Sequence, residues 1–365
     1  MSGGVSSTAA ATLTGAVQIG FVVGALFAAV ISLSDRVSPR YVIAASALGA
    51  GLANAAVALF ADGLPAALPL RFATGFFLAG VYPPGLALMA SWFSKNLGLA
   101  FGAVVGALTL GSGAPHVIGA IGTPPWEQAL LTGSALAVVA AVVALFAVDG
   151  PLRAPRPPVD LIYAARVFRD RPLRLANFGY FGHMWELYGV WTWLPVYLAA
   201  SIGAGAGTSL LAFAAIGVAG ALGALAGGLA GDRAGRTATT MALMGISGAA
   251  VLGSVVLFDA HPILVGVLAV VWGFSVIGDS GQFSAAAGEL ADRSYVGTAL
   301  TLQLAIGFLI TIFSIQLVGV MADWVGWQWA FLPLAIGPAL GIWAMWCLRH
   351  DAAAPRMAGG ARQGP

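Results

Sequence analysis

Eleven apolar runs, each near the roughly 20 residues needed to cross about 30 Å of hydrocarbon, are separated along the chain by short polar or Gly- and Pro-containing breaks. The first five fall at about 13–33, 41–60, 66–90, 97–121 and 128–148. After a polar stretch from Asp149 to Arg174, six more fall at about 175–200, 207–230, 237–258, 263–288, 297–321 and 328–348. The runs lack the apolar–polar alternation of barrel strands, and a segment in lipid must satisfy its backbone hydrogen bonds internally. Each run therefore predicts an α-helix. The expected fold is all-α and polytopic, with eleven transmembrane helices in two bundles. Residues 1–148 supply five helices and residues 175–348 supply six. Residues 149–174 are the expected cytoplasmic linker, with a short surface helix around Leu161–Phe168, and residues 349–365 form a cytoplasmic tail.

The placement of charge orients these runs. Arg36, Arg40, Lys95, the linker residues Arg153, Arg156, Arg166, Arg169, Arg171 and Arg174, then Arg233, Arg236 and Arg293, and the tail residues Arg349, Arg356 and Arg362 all fall on one side; they are 15 of the 16 basic residues. The remaining one, Arg71, lies within the third run. Basic residues stay inside, so the C-terminus is expected in the cytoplasm and, with eleven spans, the N-terminus outside. The first run has no basic segment before it, which argues against a cleaved signal peptide. Charged residues are only 8% of the chain, against roughly 25% in soluble proteins, which excludes a water-soluble globule. The net charge of +2, without a basic aqueous domain, gives no footing for nucleic acid. The single cysteine, Cys347, excludes an intrachain disulfide. One lysine against fifteen arginines, with 50 glycines, fits a GC-rich bacterial genome and hence a bacterial inner (plasma) membrane.

The chain also repeats itself. Asp35-Arg36 after the first run answers Asp232-Arg233 after the seventh, and Trp126 before the fifth answers Trp327 and Trp329 before the eleventh. Two related halves are implied. Gly228, Asp232, Arg233, Gly235 and Arg236 spell Gly-x-x-x-Asp-Arg-x-Gly-Arg; in the first copy Asp35, Arg36 and Arg40 fit, while Ile31 and Ser38 stand for the glycines. With Arg71, Gly75 and Gly80 in the third run, these residues make the chain resemble the major facilitator superfamily over nearly its whole length. That resemblance implies two six-helix bundles and a transporter. It also implies that each run corresponds to the family helix one number higher, with the first helix unmatched and Arg71 a tether to it or a substrate contact. Physically, the Asp-Arg loops can form charge-assisted bonds that latch one conformation and break in another.

Ionisable groups inside a membrane point to function because lipid does not solvate them. Arg71 lies in the third run, His116 in the fourth, His183 and Glu186 in the sixth and Asp279 in the ninth. The third, sixth and ninth correspond, on the resemblance, to helices that surround a central cavity. Tyr180, His183, Glu186 and Trp193 share one broad helical face, as do Trp272, Ser275, Asp279 and Gln282. Aromatic and polar groups on such faces suit an organic or mixed-polarity small molecule. Glu186, about 16 Å along its helix and near mid-membrane, with His183 beside it, is the expected proton carrier. The expected partners are a small-molecule substrate, protons and the bilayer.

Rival readings rest on less. Gly278-Asp279-Ser280-Gly281 matches short serine-protease signatures, but a nucleophilic serine needs a histidine base within reach, and only His350 follows Ser280. A transport-inactive receptor or scaffold is the other alternative. Gly102, Gly106, Gly111, Gly113 and Pro115 resemble an antiporter pattern one residue out of register. Arginines expected in the first and seventh runs of a nitrate-type porter are missing. No metal cluster, phosphate loop or nucleotide motif is visible in the sequence, so no cofactor is expected.

Overall fold

The computed structural model describes residues 7–122, 125–154 and 163–360. Its helices are α1 (Ser7–Val30), α2 (Leu33–Arg36), α3 (Pro39–Phe60), α4 (Leu64–Leu78), α5 (Tyr82–Trp92), α6 (Leu97–Ile121), α7 (Trp126–Leu145), α8 (Tyr163–Arg169), α9 (Arg171–Ile202), α10 (Ala206–Phe213), α11 (Gly220–Ala234), α12 (Arg236–Val256), α13 (Pro262–Gly278), α14 (Ser280–Leu290), α15 (Val296–Val325), α16 (Trp327–Ala330) and α17 (Ile336–Arg349). A π-helical turn, Ala214–Ala219, joins α10 to α11. Prolines in the first turns of α3, α4, α9 and α13 suit positions whose N–H has no intrahelical partner.

Every expected run is helical, but four are interrupted. The third is α4 plus α5, the seventh is α10 plus α11, the ninth breaks at Asp279 between α13 and α14, and the eleventh is α16 and α17 with a 3-10 turn, Leu332–Ala335, between them. Among the described residues ten helices are long and apolar enough to cross a membrane. The 32-residue α9, the expected sixth span, is long enough and is not among those ten. Its Arg171, Arg174, Asn177, His183 and Glu186 lower its hydropathy, and half of its residues are buried, so it needs less apolar surface than a lipid-facing helix. The linker helix is present as α8; Arg156, Leu161 and Arg362 lie outside the described residues.

Compactness does not follow chain order. One unit comprises Met1–Trp92, Pro124–Ala165 and Asp292–Ile312; the other comprises Phe93–Thr123, Arg166–Ala291 and Phe313–Pro365. In the first, α1 packs on α4, and α3 packs on α7 and α4. The start of α15 belongs to this unit, with Gln18 Nε2 donating to Thr311 Oγ1 at 3.4 Å and Phe21 against Phe308. In the second, α6 packs on α10, α11 and α14, α9 on α17 and α14, and α12 on α13 and α17.

Large apolar side chains such as Leu136, Val139, Val143, Phe313 and Trp324 point outward, while many buried positions carry alanine. In lipid, apolar surface gains nothing by turning inward, so helix contacts are made by small residues that let backbones approach. Gly75 shows the constraint: a Cβ there would lie 1.9 Å from the Val17 carbonyl oxygen, whereas one on Gly85 would meet nothing within 4 Å. Gly75→Ala is therefore expected to cost about 1–3 kcal/mol by forcing α1 from α4, and Gly85→Ala to be neutral or stabilising. Thermal unfolding of both variants in one detergent checks this; equal melting temperatures would refute it.

Candidate functional site

In the second unit the site begins at the turn between α11 and α12. Gly235 has φ +95°, a conformation open to glycine at little cost, and the turn brings Asp232 and Arg236 together. A Cβ on Gly228 would lie 2.7 Å from the Gly98 carbonyl oxygen, so glycine there lets α11 reach the start of α6. Gly98 N and Leu99 N donate to the two oxygens of Asp232 at 3.0 and 2.8 Å. These amides belong to the first turn of α6 and have no intrahelical acceptor. Asp232 thus caps α6 from a remote helix, with its charge at the positive end of the helix dipole.

Behind Asp232, Arg236 is 1% exposed and fully engaged. Its Nη1 lies 2.7 Å from Asp232 Oδ1 and donates to Gln282 Oε1 at 2.8 Å. Its Nε and Nη2 donate to Glu289 at 3.2 and 2.7 Å. Gln282, placed by spacing with the substrate pathway, is thereby tied into this clasp and also approaches Gly98 O at 3.4 Å. Glu289 escaped the sequence reading, although it lies seven residues beyond Gln282 and so shares its helical face.

The first unit carries a matching clasp. Asp35 accepts from Gly297 N at 2.7 Å, Thr298 N at 2.8 Å and Thr298 Oγ1 at 2.6 Å, capping α15. One of its glycine replacements is explained locally: Ser38 has φ −58°, which needs no glycine, and its Oγ donates to Asp149 at 2.8 Å. Arg40 stands five residues from Asp35, where Arg236 stands four from Asp232, and it turns away to Tyr41 and the Ala147 carbonyl. The linker residue Arg153 takes its place, pairing with Asp149 and donating to Val37 O at 2.7 Å. Arg36 and Arg233 face outward as exposed residues. Burial pushes the Asp35 carboxyl above the usual range, against the pull of Thr298, Gly297 and Arg153.

The second unit also holds a buried polar cluster. Trp272 Nε1 donates to Glu186 Oε1 and Ser247 Oγ to Oε2, both at 2.8 Å; Glu186 is 1% exposed. His183 Nδ1 stands 2.8 Å from Asp279 Oδ1, within ion-pair distance, yet neither ring nitrogen makes a hydrogen bond of regular geometry to a described residue. The imidazole lies against the rings of Tyr180 and Phe283. Trp193 turns elsewhere, donating to Ile315 O at 2.8 Å, and Ser275 bonds within its own helix. Ser247, on α12, was not singled out by the sequence.

In the first unit Arg71 is half-buried and its Nη1 donates to Asn54 Oδ1 at 2.9 Å. The amide of Asn54 is fixed by donation to Leu130 O and Ser134 Oγ. Among the described residues no carboxylate pairs with Arg71. His116 is half-buried on α6.

Comparison with known proteins fits this anatomy. The profile of the Major Facilitator Superfamily matches residues 2–314. The chain belongs to the major facilitator superfamily. Among solved structures this member is similar to the human organic anion transporter MFSD10 (TETRAN), with a TM-score of 0.69 and 16% identity over 92% of this chain and 83% of that one. At that identity the likeness shows the fold. No curated protein matches. Family and fold make the chain an integral membrane transporter, and they point away from the serine-protease reading of Ser280.

The clasps of this superfamily member generate two expectations. Asp232→Ala should raise hydrogen exchange at Gly98 and Leu99, and Asp35→Ala at Gly297 and Thr298, each by about tenfold, since each lost bond joins an amide to a charged acceptor. Mass-spectrometric exchange in nanodiscs measures this; retained protection would mean that the carboxylates do not hold these helix ends. The pH dependence has a definite sign. Burial makes the Asp35 carboxyl bind its proton more tightly in the closed clasp than when released to water, so acidification through that raised range favours the closed clasp and alkaline pH carries the full burial cost of the charge. Exchange at Gly297 and Thr298, corrected for intrinsic rate, should therefore fall on acidification from above the ordinary carboxylate range, and Asp35→Ala should abolish the dependence.

Proposed function

We propose that the chain is a proton-coupled secondary transporter of an organic small molecule, located in a bacterial inner membrane with its C-terminus in the cytoplasm. The observation that carries the proposal is Glu186. It is the sixteenth of the 32 residues of α9, a helix about 48 Å long at 1.5 Å per residue, so it lies at the middle of the span. Its carboxylate has two neutral donors and, among the described residues, no cationic partner. An uncompensated charge there costs several kcal/mol, a cost that uptake of one proton removes. His183 and Asp279 add a second pair able to hold a proton in the same unit.

The break between α13 and α14 at Asp279 supports the same reading, because interrupted helices supply polar groups at mid-membrane in transporters. Tyr180, Phe283 and Trp272 give the cluster aromatic walls suited to an organic substrate. The two clasps supply latches for alternating access. Each joins a loop from one half of the sequence to a helix from the other, so its rupture would let the halves separate.

In proteoliposomes, Glu186→Gln should insert normally but lose the pH dependence of transport, because the amide oxygen can still accept from Trp272 and the amide NH2 can donate to Ser247 Oγ, whose own hydrogen is free to go to the Met244 carbonyl, while the amide cannot titrate. Proton movement with substrate at the wild-type level would overturn the coupling role. Asp279→Asn should lower substrate affinity about tenfold, the scale of one charged hydrogen bond, and alter pH dependence less. Equal affinity by binding calorimetry would return Asp279 to a packing role.

A further inference from the structure

The tail after α17 is built into the second clasp. At its foot Asp351 Oδ2 lies 2.6 Å from Arg171 Nη1, and Asp351 Oδ1 accepts from Ala353 N. Five residues on, Arg356 Nη2 donates at 2.8 Å to the carbonyl of Leu290, the last residue of α14, where a cation suits the negative end of the helix. Met357 is wholly buried and Ala354 nearly so. Ala358 N then donates to Glu289 Oε2 at 3.0 Å, with Ala358 held at φ +49°, a conformation that costs a non-glycine residue energy.

The Glu289 oxygen that receives this amide also accepts from Arg236 Nε. A continuous relay results: the tail amide holds Glu289, Glu289 holds Arg236, Arg236 holds Asp232, and Asp232 caps α6. Every member lies in the second unit. Without the tail, Glu289 loses one of its donors, the end of α14 loses its cap, and the site of Met357 opens to water. The Glu289 side chain is already 16% exposed, so it can then turn to solvent and release Arg236.

We propose that Ala354–Ala358 is a strap that sets how often the Asp232 clasp opens, acting through Glu289 and without contact with the membrane-buried polar cluster. The inference rests on the reading of Asp232 as a latch, and its test separates the two. In a Cys347→Ser background, Ala100→Cys places a thiol in the first turn of α6, where Ala100 is 8% exposed. Labelling by a maleimide in inside-out vesicles then reports opening, with Asp232→Ala as the fully unclasped reference.

Truncation after Asp351, Met357→Asp and Ala358→Pro, which removes the donating N–H, should each raise the labelling rate about tenfold. Met357→Leu, a volume-conserving change, should leave it near wild type. Ala358→Pro decides the matter if the truncated chain fails to insert, because it keeps the Arg356 and Met357 side chains in the chain while removing the amide and the φ of +49° that proline cannot adopt. An unchanged or slower rate in Ala358→Pro, with a raised rate in Asp232→Ala, would overturn the strap and leave the latch standing. An unchanged rate in Asp232→Ala would overturn both.

Discussion

A carboxylate withdrawn from water has to be answered by donors that reach it, and in this chain the answer is given mainly by the open ends of helices. The first amides of α6 and α15 have no intrahelical acceptor, and Asp232 and Asp35 have no water shell of their own to spare. Each lack meets the other: two backbone N–H groups and one carboxylate per clasp. This complementarity fixes where α6 and α15 begin and draws segments more than a hundred residues apart into one compact unit. Each of the two units accordingly contains one clasp and segments from both halves of the sequence.

The two clasps show how one interaction survives in different surroundings. In the Asp232 copy, Gly235 makes a left-handed turn, and Arg236 reaches back over four residues to the acid. In the Asp35 copy the turn is an ordinary one, the spacing is longer by one residue, and Arg40 cannot play that part. Arg153, from the linker, fills the vacated role by holding the loop through Asp149 and the Val37 carbonyl. What the motif requires is therefore the capping acid and a cation to steady its loop, and the cation can come from elsewhere in the chain.

Inside the second unit the same need for matching shapes the buried cluster. Glu186 is met by an indole N–H and a hydroxyl, Asp279 by an imidazole, and no guanidinium or ammonium is in contact with either among the described residues. The basic group of this unit's clasp is kept at a helix end, where Arg236 is enclosed by two carboxylates and an amide. Charge that is permanently compensated thus lies at the helix ends, and charge that a proton can neutralise lies midway along α9. This division is the one on which the proposed proton coupling rests.

The helical class, the positions of the crossings and the Asp-Arg loops could be read from the sequence, because lipid imposes hydropathy and backbone rules on each segment separately. Glu186, His183 and Asp279 were legible for the same reason: an ionisable residue in an apolar run is conspicuous without any partner. Their partners were not. Ser247, Asn54 and Glu289 are ordinary residues in their own segments and gain a role only when another helix presents a complementary atom. The breaks at Asp279 and between α4 and α5 coincide with Gly278-Asp279 and with Gly80 and Pro83-Pro84, but hydropathy alone runs straight across them. That Gln282 serves a clasp, that Trp193 faces α15 and that Arg153 substitutes for Arg40 were decided by tertiary packing alone. Hydropathy acts on a residue by itself, whereas a hydrogen bond needs two groups at about 3 Å, and only the folded chain sets that distance.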